Sequence, residues 1–213
     1  MGPGDSRVAV DVATSPWRAL GRVQTELGGR CTGFLTAPRT VLTAAHCLYR
    51  RAPDAFVQPG SVHFLLGYDR GGYVAHARVV AYRIGPGYDP RQEGRTSGAD
   101  WAALTLDAPL GTPDRLLPLD ADPPQAGQAV LLGGYGQDRA EVVLADLGCS
   151  VTALGRDAAG HALIAHACAG TAGTSGAPLL MRRQDGWAVI GLQVAAQRGE
   201  ARGLAVAARE LKP

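Results

Sequence analysis

Apolar residues in this chain come in short runs, each closed by turn-forming residues, rather than in long periodic stretches. From residue 20 onward the runs cover 20–25, 33–37, 40–44, 62–66, 75–84 and 101–106. A second set covers 129–133, 141–151, 162–167, 178–182, 187–195 and 203–207. Runs of this length between turn signals predict β-strands. Separating the sets is the stretch 109–124, with five prolines and several aspartates. Proline cannot donate to a strand ladder, so this stretch reads as a connector. The resulting division is an N-terminal arm (1–15), a first β unit (16–112), an interbarrel connector (113–124) and a second β unit (125–213). Six runs on each side suit closed barrels, which leave no sheet edge exposed. Only the tail, 207–211, has helix-forming composition, which predicts a short C-terminal helix.

Composition supports an all-β reading. A chain of 213 residues, 46% hydrophobic but only 6% aromatic, with its apolar positions dispersed among 29 Gly and 14 Pro, suits many short strands better than helices. A net charge of +2, with Lys212 the sole lysine among 21 basic residues, does not predict a nucleic-acid partner. No stretch approaches the ~20 apolar residues that cross a bilayer, so no membrane partner is expected either. The segment from Arg7 to Val12 is interrupted by charge and does not read as a signal peptide.

The four cysteines, Cys31, Cys47, Cys149 and Cys168, contain no C-x-x-C pair. Two local bridges in an oxidising compartment would each close a loop of about 15 to 20 residues, contributing about 3 kcal/mol apiece. A zinc site from Cys149, His161, His166 and Cys168 is the rival reading.

The segment Gly173-Thr174-Ser175-Gly176-Ala177-Pro178 embeds a serine among glycines. Such a turn can aim two backbone N–H groups at one point beside the hydroxyl, as an oxyanion hole requires; a plain turn between strands is the bland alternative. No histidine follows Ser175 and Ala177 replaces the second Gly of G-x-S-x-G, which excludes the α/β-hydrolase order. A base must come from upstream. There, Val41-Leu42-Thr43-Ala44-Ala45-His46-Cys47 ends an apolar run in a histidine, and Ser97-Gly98-Ala99-Asp100-Trp101 places an aspartate directly ahead of another. The order His, Asp, Ser is that of the two-barrel proteases.

With these three segments the chain resembles the trypsin-like serine protease superfamily, from about Pro16 to Val206. Within it, Ser15 to Val23, Cys31-Thr32-Gly33 and Pro38 to Val41 are similar to the bacterial glutamyl endopeptidase group. The resemblance implies two six-stranded antiparallel β-barrels, the first carrying His46 and Asp100 and the second Ser175. It implies a Ser-His-Asp acyl-enzyme mechanism with His46 as general base, Asp100 as its orienter and the N–H groups of Gly173 and Ser175 as oxyanion donors. It further implies a Cys31–Cys47 bridge; pairing of Cys149 with Cys168 then follows by elimination.

The same resemblance expects the substrate-binding residues to be Ala169, Gly170, Gln193, Val194, Ala195, Ala196 and Gly203, with 194–196 pairing with the substrate backbone. None of them is charged, which argues against Arg or Lys before the cleaved bond. Glutamyl endopeptidases use a histidine and a threonine where Gln193 and Gly170 stand, so a neutral, small to medium residue is expected instead. Thr174 replaces the aspartate that binds a new N-terminus in animal relatives, so any maturation must differ; a cut between Arg7 and Val8 is conceivable. His63 and His76 read as surface or half-buried polar residues of strands, whereas His161 and His166 precede the serine loop and are candidates to line a subsite. The expected molecule is a secreted or periplasmic monomer, its signal peptide absent from this chain, acting on polypeptides without metal or cofactor. The alternatives are a silent protease-fold binding module and a glutamyl-specific endopeptidase.

Overall fold

A computed structural model describes residues 5–196 and 201–213; residues 1–4 of the arm lie outside the described residues. Six strands form the first barrel: β1 (Leu20–Thr25), β2 (Arg30–Ala37), β3 (Thr40–Thr43), β4 (Val62–Leu66), β5 (Ala75–Ile84) and β6 (Ala102–Leu106). Six more form the second: β7 (Ala129–Gly134), β8 (Leu144–Arg156), β9 (Ala162–His166), β10 (Pro178–Arg183), β11 (Gly186–Ala196) and β12 (Gly203–Ala207). Antiparallel pairing runs β1-β2-β3-β6-β5-β4 and back to β1. The second barrel repeats that order as β7-β8-β9-β12-β11-β10 and back to β7. The expected C-terminal helix is instead a single 3-10 turn, Ala208–Glu210. Leu211 beyond it is extended and buried, and a single turn is too short to gain helical cooperativity.

The strand runs look continuously apolar because many strands are buried on both faces. In β3, Val41 joins the first barrel's interior while Leu42 faces outward into a cluster shared by the two barrels. In β10, Leu179 and Met181 fill the second barrel and Leu180 enters the shared cluster. That cluster gathers Trp17, Leu20, Phe34 and Leu42 with Tyr135, Val143, Val189 and Leu192. Strand β5 has no such partner on its outer face: Ala77 and Val79 are buried, whereas the neighbouring Val80 is exposed. The barrels therefore meet along one apolar seam, and residues at its rim can come from either.

Before the first barrel, Val8–Ala9 pairs with Ala145 and Leu144 of β8, so the arm lies against the second barrel.

Candidate active site

His46 lies on a 3-10 turn, Ala45–Leu48, directly after β3, and the adjacent Cys47 is bridged to Cys31 of β2 with a Cα–Cα separation of 6.2 Å. Asp100 leaves another 3-10 turn, Ser97–Ala99, just ahead of β6, the partner of β3. Its carboxylate accepts two bonds from His46, one from the backbone N–H at 2.9 Å and one from ring Nδ1 at 2.7 Å. Asp100 is 7% exposed and His46 28%, so the carboxylate is sealed while the ring still reaches solvent. Burial pulls the His46 pKa down, but the hydrogen bond and charge of Asp100, with a contribution from Glu93, outweigh it and leave the pKa raised above 6.5. A proton held on Nδ1 leaves Nε2 as the basic nitrogen.

The Ser175 segment is fastened to the same seam. Thr32, next to Cys31, donates its N–H to the Ser175 carbonyl at 2.9 Å and its hydroxyl to the Gly173 carbonyl at 3.0 Å. The Thr32 hydroxyl in turn accepts the N–H of Tyr135 at 2.9 Å. Gly176 has φ +83°, and a Cβ there would stand 2.2 Å from the Thr32 carbonyl and 2.9 Å from the nitrogen of Ala44, two residues before His46. Gly173 has φ +94°, and a Cβ would meet the Tyr135 carbonyl at 2.5 Å. Both positions therefore require glycine.

Within this turn the N–H groups of Thr174, Gly176 and Ala177 bond to the carbonyls of Thr171, Gln193 and Thr174. Among the described residues those of Gly173 and Ser175 have no protein partner, and neither do the Ser175 hydroxyl and His46 Nε2. Gly173 is buried and Ser175 partly buried, and an unmatched backbone donor is uncommon in a buried position.

The pocket residues expected from the sequence fall into two groups. Gly170, Gln193, Ala196 and Gly203 converge: a Cβ on Gly170 would stand 3.5 Å from the Cβ of Ala196 and 3.8 Å from Gln193 Nε2, and one on Gly203 would stand 3.0 Å from that nitrogen. Ala169 is instead held through its N–H by the buried Asp146 at 2.8 Å. Strand β11 pairs with β10 only as far as Leu192, whereas its other edge pairs with β12 out to Ala196 and is bulged between Gln193 and Ala195. Residues 194–196 thus have one edge outside the described ladder. A cavity of about 580 Å³ beside them is lined by His166, Ala195, Ala196, Arg202 and Gly203, among others.

Four supporting contacts are absent from the sequence reading. Arg7, 6% exposed, donates to Asp5, to Asp138 at 2.6 Å and to the Thr171 hydroxyl at 3.2 Å, while Ser6 donates to Asp146 at 2.8 Å; the arm thus pins the loop leading to Ser175. Asp157 of the second barrel accepts the Gly98 N–H at 2.9 Å and contacts the His161 ring at 3.1 Å, steadying the turn that presents Asp100. Thr32 is the third, and the fourth is the link from His166, offered by the sequence only as a subsite residue, to Gln193. Each acts across a long sequence separation, which no local pattern reports.

The rival zinc reading is corrected. Cys149 and Cys168 form a disulfide, Cα–Cα 4.8 Å, and so supply no thiolate, while His161 and His166 bond to Asp157 and Gln193. Cys31, His46 and Cys47 also bring ligand-type atoms close together, but their sulfurs too are joined.

Comparison with known proteins gives a consistent setting. The sequence model of the trypsin family matches residues 7–210. A glutamyl endopeptidase of Bacillus licheniformis is 28% identical over 112 residues, which is 52% of this chain and 33% of that protein, so the match spans about a third of the relative's length. A solved structure of a Glu endopeptidase superposes with a TM-score of 0.80 at 21% identity, covering 98% of this chain and 93% of that one. At that identity the likeness speaks for the fold.

Proposed function

The chain belongs to the trypsin family, and from that premise we propose that it is a serine endopeptidase acting through Ser175, His46 and Asp100. The observation that carries this reading is the pairing of an Asp100-anchored imidazole with two unmatched N–H groups beside a serine on the same seam. His46 Nε2 takes the Ser175 proton as Oγ attacks the peptide carbonyl, and Asp100 stabilises the imidazolium that forms. The Gly173 and Ser175 N–H groups receive the oxyanion, each such donor being worth about 3 to 4 kcal/mol of barrier in comparable sites. The imidazolium then protonates the leaving amine, and water, deprotonated by the same nitrogen, releases the acyl group.

The substrate is a polypeptide laid as an added strand along 194–196, the edge that β10 does not cover. With no charged side chain at 169, 170 or 193, the residue before the cleaved bond is neutral and small to medium. Two disulfides suit an extracellular or periplasmic setting. The test is mass spectrometry of a digested peptide library with wild type and Ser175→Ala side by side. Cleavage at neutral positions by wild type alone is expected; equal cleavage by both, or none by either, would defeat the reading.

A further inference from the structure

At the base of the pocket expected beside Ser175, a chain of hydrogen bonds has its direction fixed by one backbone amide. The N–H of Cys168 meets His166 Nδ1 at 3.2 Å. An amide nitrogen can only donate there, so Nδ1 is the accepting nitrogen and the ring's proton is on Nε2. Nε2 lies 2.6 Å from Gln193 Oε1 and donates to it. That bond fixes which end of the Gln193 amide faces the ring. Its NH2 group therefore points the other way, giving one N–H to the Ala195 carbonyl at 2.7 Å. The second N–H has no partner among the described residues. On its Gly170 side a Cβ would stand 3.8 Å from the nitrogen, in ordinary contact, so the missing side chain leaves room there, whereas its Gly203 side is closed by the His166 ring, 2.2 Å from where a Gly203 Cβ would stand.

Both residues are 1% exposed, and a buried donor without an acceptor is costly. The neutral ring that this wiring needs is also the one burial favours, since burial lowers the His166 pKa despite the bond to Gln193.

We propose that Gln193, oriented by His166, is a specificity-determining hydrogen-bond donor that selects a neutral acceptor-bearing side chain, glutamine above all, before the cleaved bond. His166 is a positioning residue: its role here is to orient the Gln193 amide. The proposal rests on the serine-endopeptidase reading and narrows its substrate class. A carboxylate would meet a neutral amide with no counter-charge from residues 169, 170 or 193, whereas methionine, near glutamine in shape, offers no comparable acceptor.

The test compares fluorogenic peptides that differ only by Gln, Glu or Met at that position, with active enzyme counted by fluorophosphonate labelling. Wild type should show kcat/KM at least about tenfold higher for Gln than for Met, and higher for Gln than for Glu. Gln193→Met should bring the Gln-to-Met ratio near one. His166→Phe should lower it too, and His166→Gln, which keeps an amide N–H to give to Gln193, should retain more of it than His166→Phe. A flat Gln-to-Met ratio in labelled wild type would overturn the pocket proposal alone. Faster cleavage after Glu would also overturn it and shift the selection to Arg202 on the cavity wall. Absence of both labelling and cleavage would overturn the peptidase reading beneath it.

Discussion

Two bonds from His46 to one carboxylate determine what the imidazole can do. Since they leave its pKa raised above 6.5, the ring is charged and inactive at acid pH and becomes a base only as pH climbs through that raised value. kcat/KM should therefore rise along a limb whose midpoint lies above 6.5, as a pH–rate profile would measure. Asp100→Asn removes the charge and the fixed tautomer; it should cost about 10⁴-fold in kcat and move that midpoint downward. The coupling also bears on stability. A raised histidine pKa stabilises the fold fully below the unfolded value of 6.5 and ceases to as pH passes the folded value. Catalysis thus gains on the side of the titration where the pair stabilises less. Thr32 carries a different burden, because its hydroxyl joins the Tyr135 N–H to the Gly173 carbonyl in a buried place. Thr32→Val strands both groups and should lower unfolding free energy by about 1 to 3 kcal/mol in denaturant titrations, with Thr32→Ser near wild type.

At the scale of elements, the strand runs were legible because both barrel interior and seam demand apolar residues, so β1, β4, β5 and β12 occupy the spans the pattern indicates. Boundaries slipped where burial and ladder part company: the run beginning at residue 141 takes up its strand only at Leu144, and β8 then continues to Arg156 with an exposed outer end. His46, Asp100 and Ser175 stand out in sequence because each sits in a compact local motif. Their supports do not, since a buried Arg7 looks like any surface arginine until Asp138 and Thr171 are found beside it. The side-chain bonds of Arg7 to Asp138 and Thr171 make the arm part of the scaffold under the Ser175 loop. Arg7→Ala should lower kcat more than it raises KM, in steady-state kinetics, because it loosens the loop bearing the Gly173 and Ser175 N–H groups proposed as oxyanion donors. Acid should loosen it as well. The Arg7 hydrogen bond holds the Asp138 carboxyl below its ordinary 3.8, so this attachment is present above that unfolded value and is lost as pH falls through the lowered folded one.

On the scale of the whole molecule, two barrels of identical strand order close on a shared apolar seam; across it the Ser175 turn meets Thr32 and Ala44 of the first barrel, and Gly98, near Asp100, meets Asp157 of the second. The disulfides divide the labour. Cys31–Cys47 braces the turn holding His46, whereas Cys149–Cys168 joins β8 to the segment following β9. Replacing Cys149 and Cys168 by alanine should cost about 2 to 5 kcal/mol in unfolding free energy, read by calorimetry or denaturant. The glycine-rich turn, the imidazole and the sealed carboxylate amount to one machine only if the Ser175 hydroxyl is unusually nucleophilic. Intact-protein mass spectrometry after exposure to a fluorophosphonate measures that directly. One adduct, mapped to Ser175, absent in Ser175→Ala and strongly slowed in His46→Ala, is the predicted result; no adduct on wild type, or one formed as fast without His46, would contradict the account.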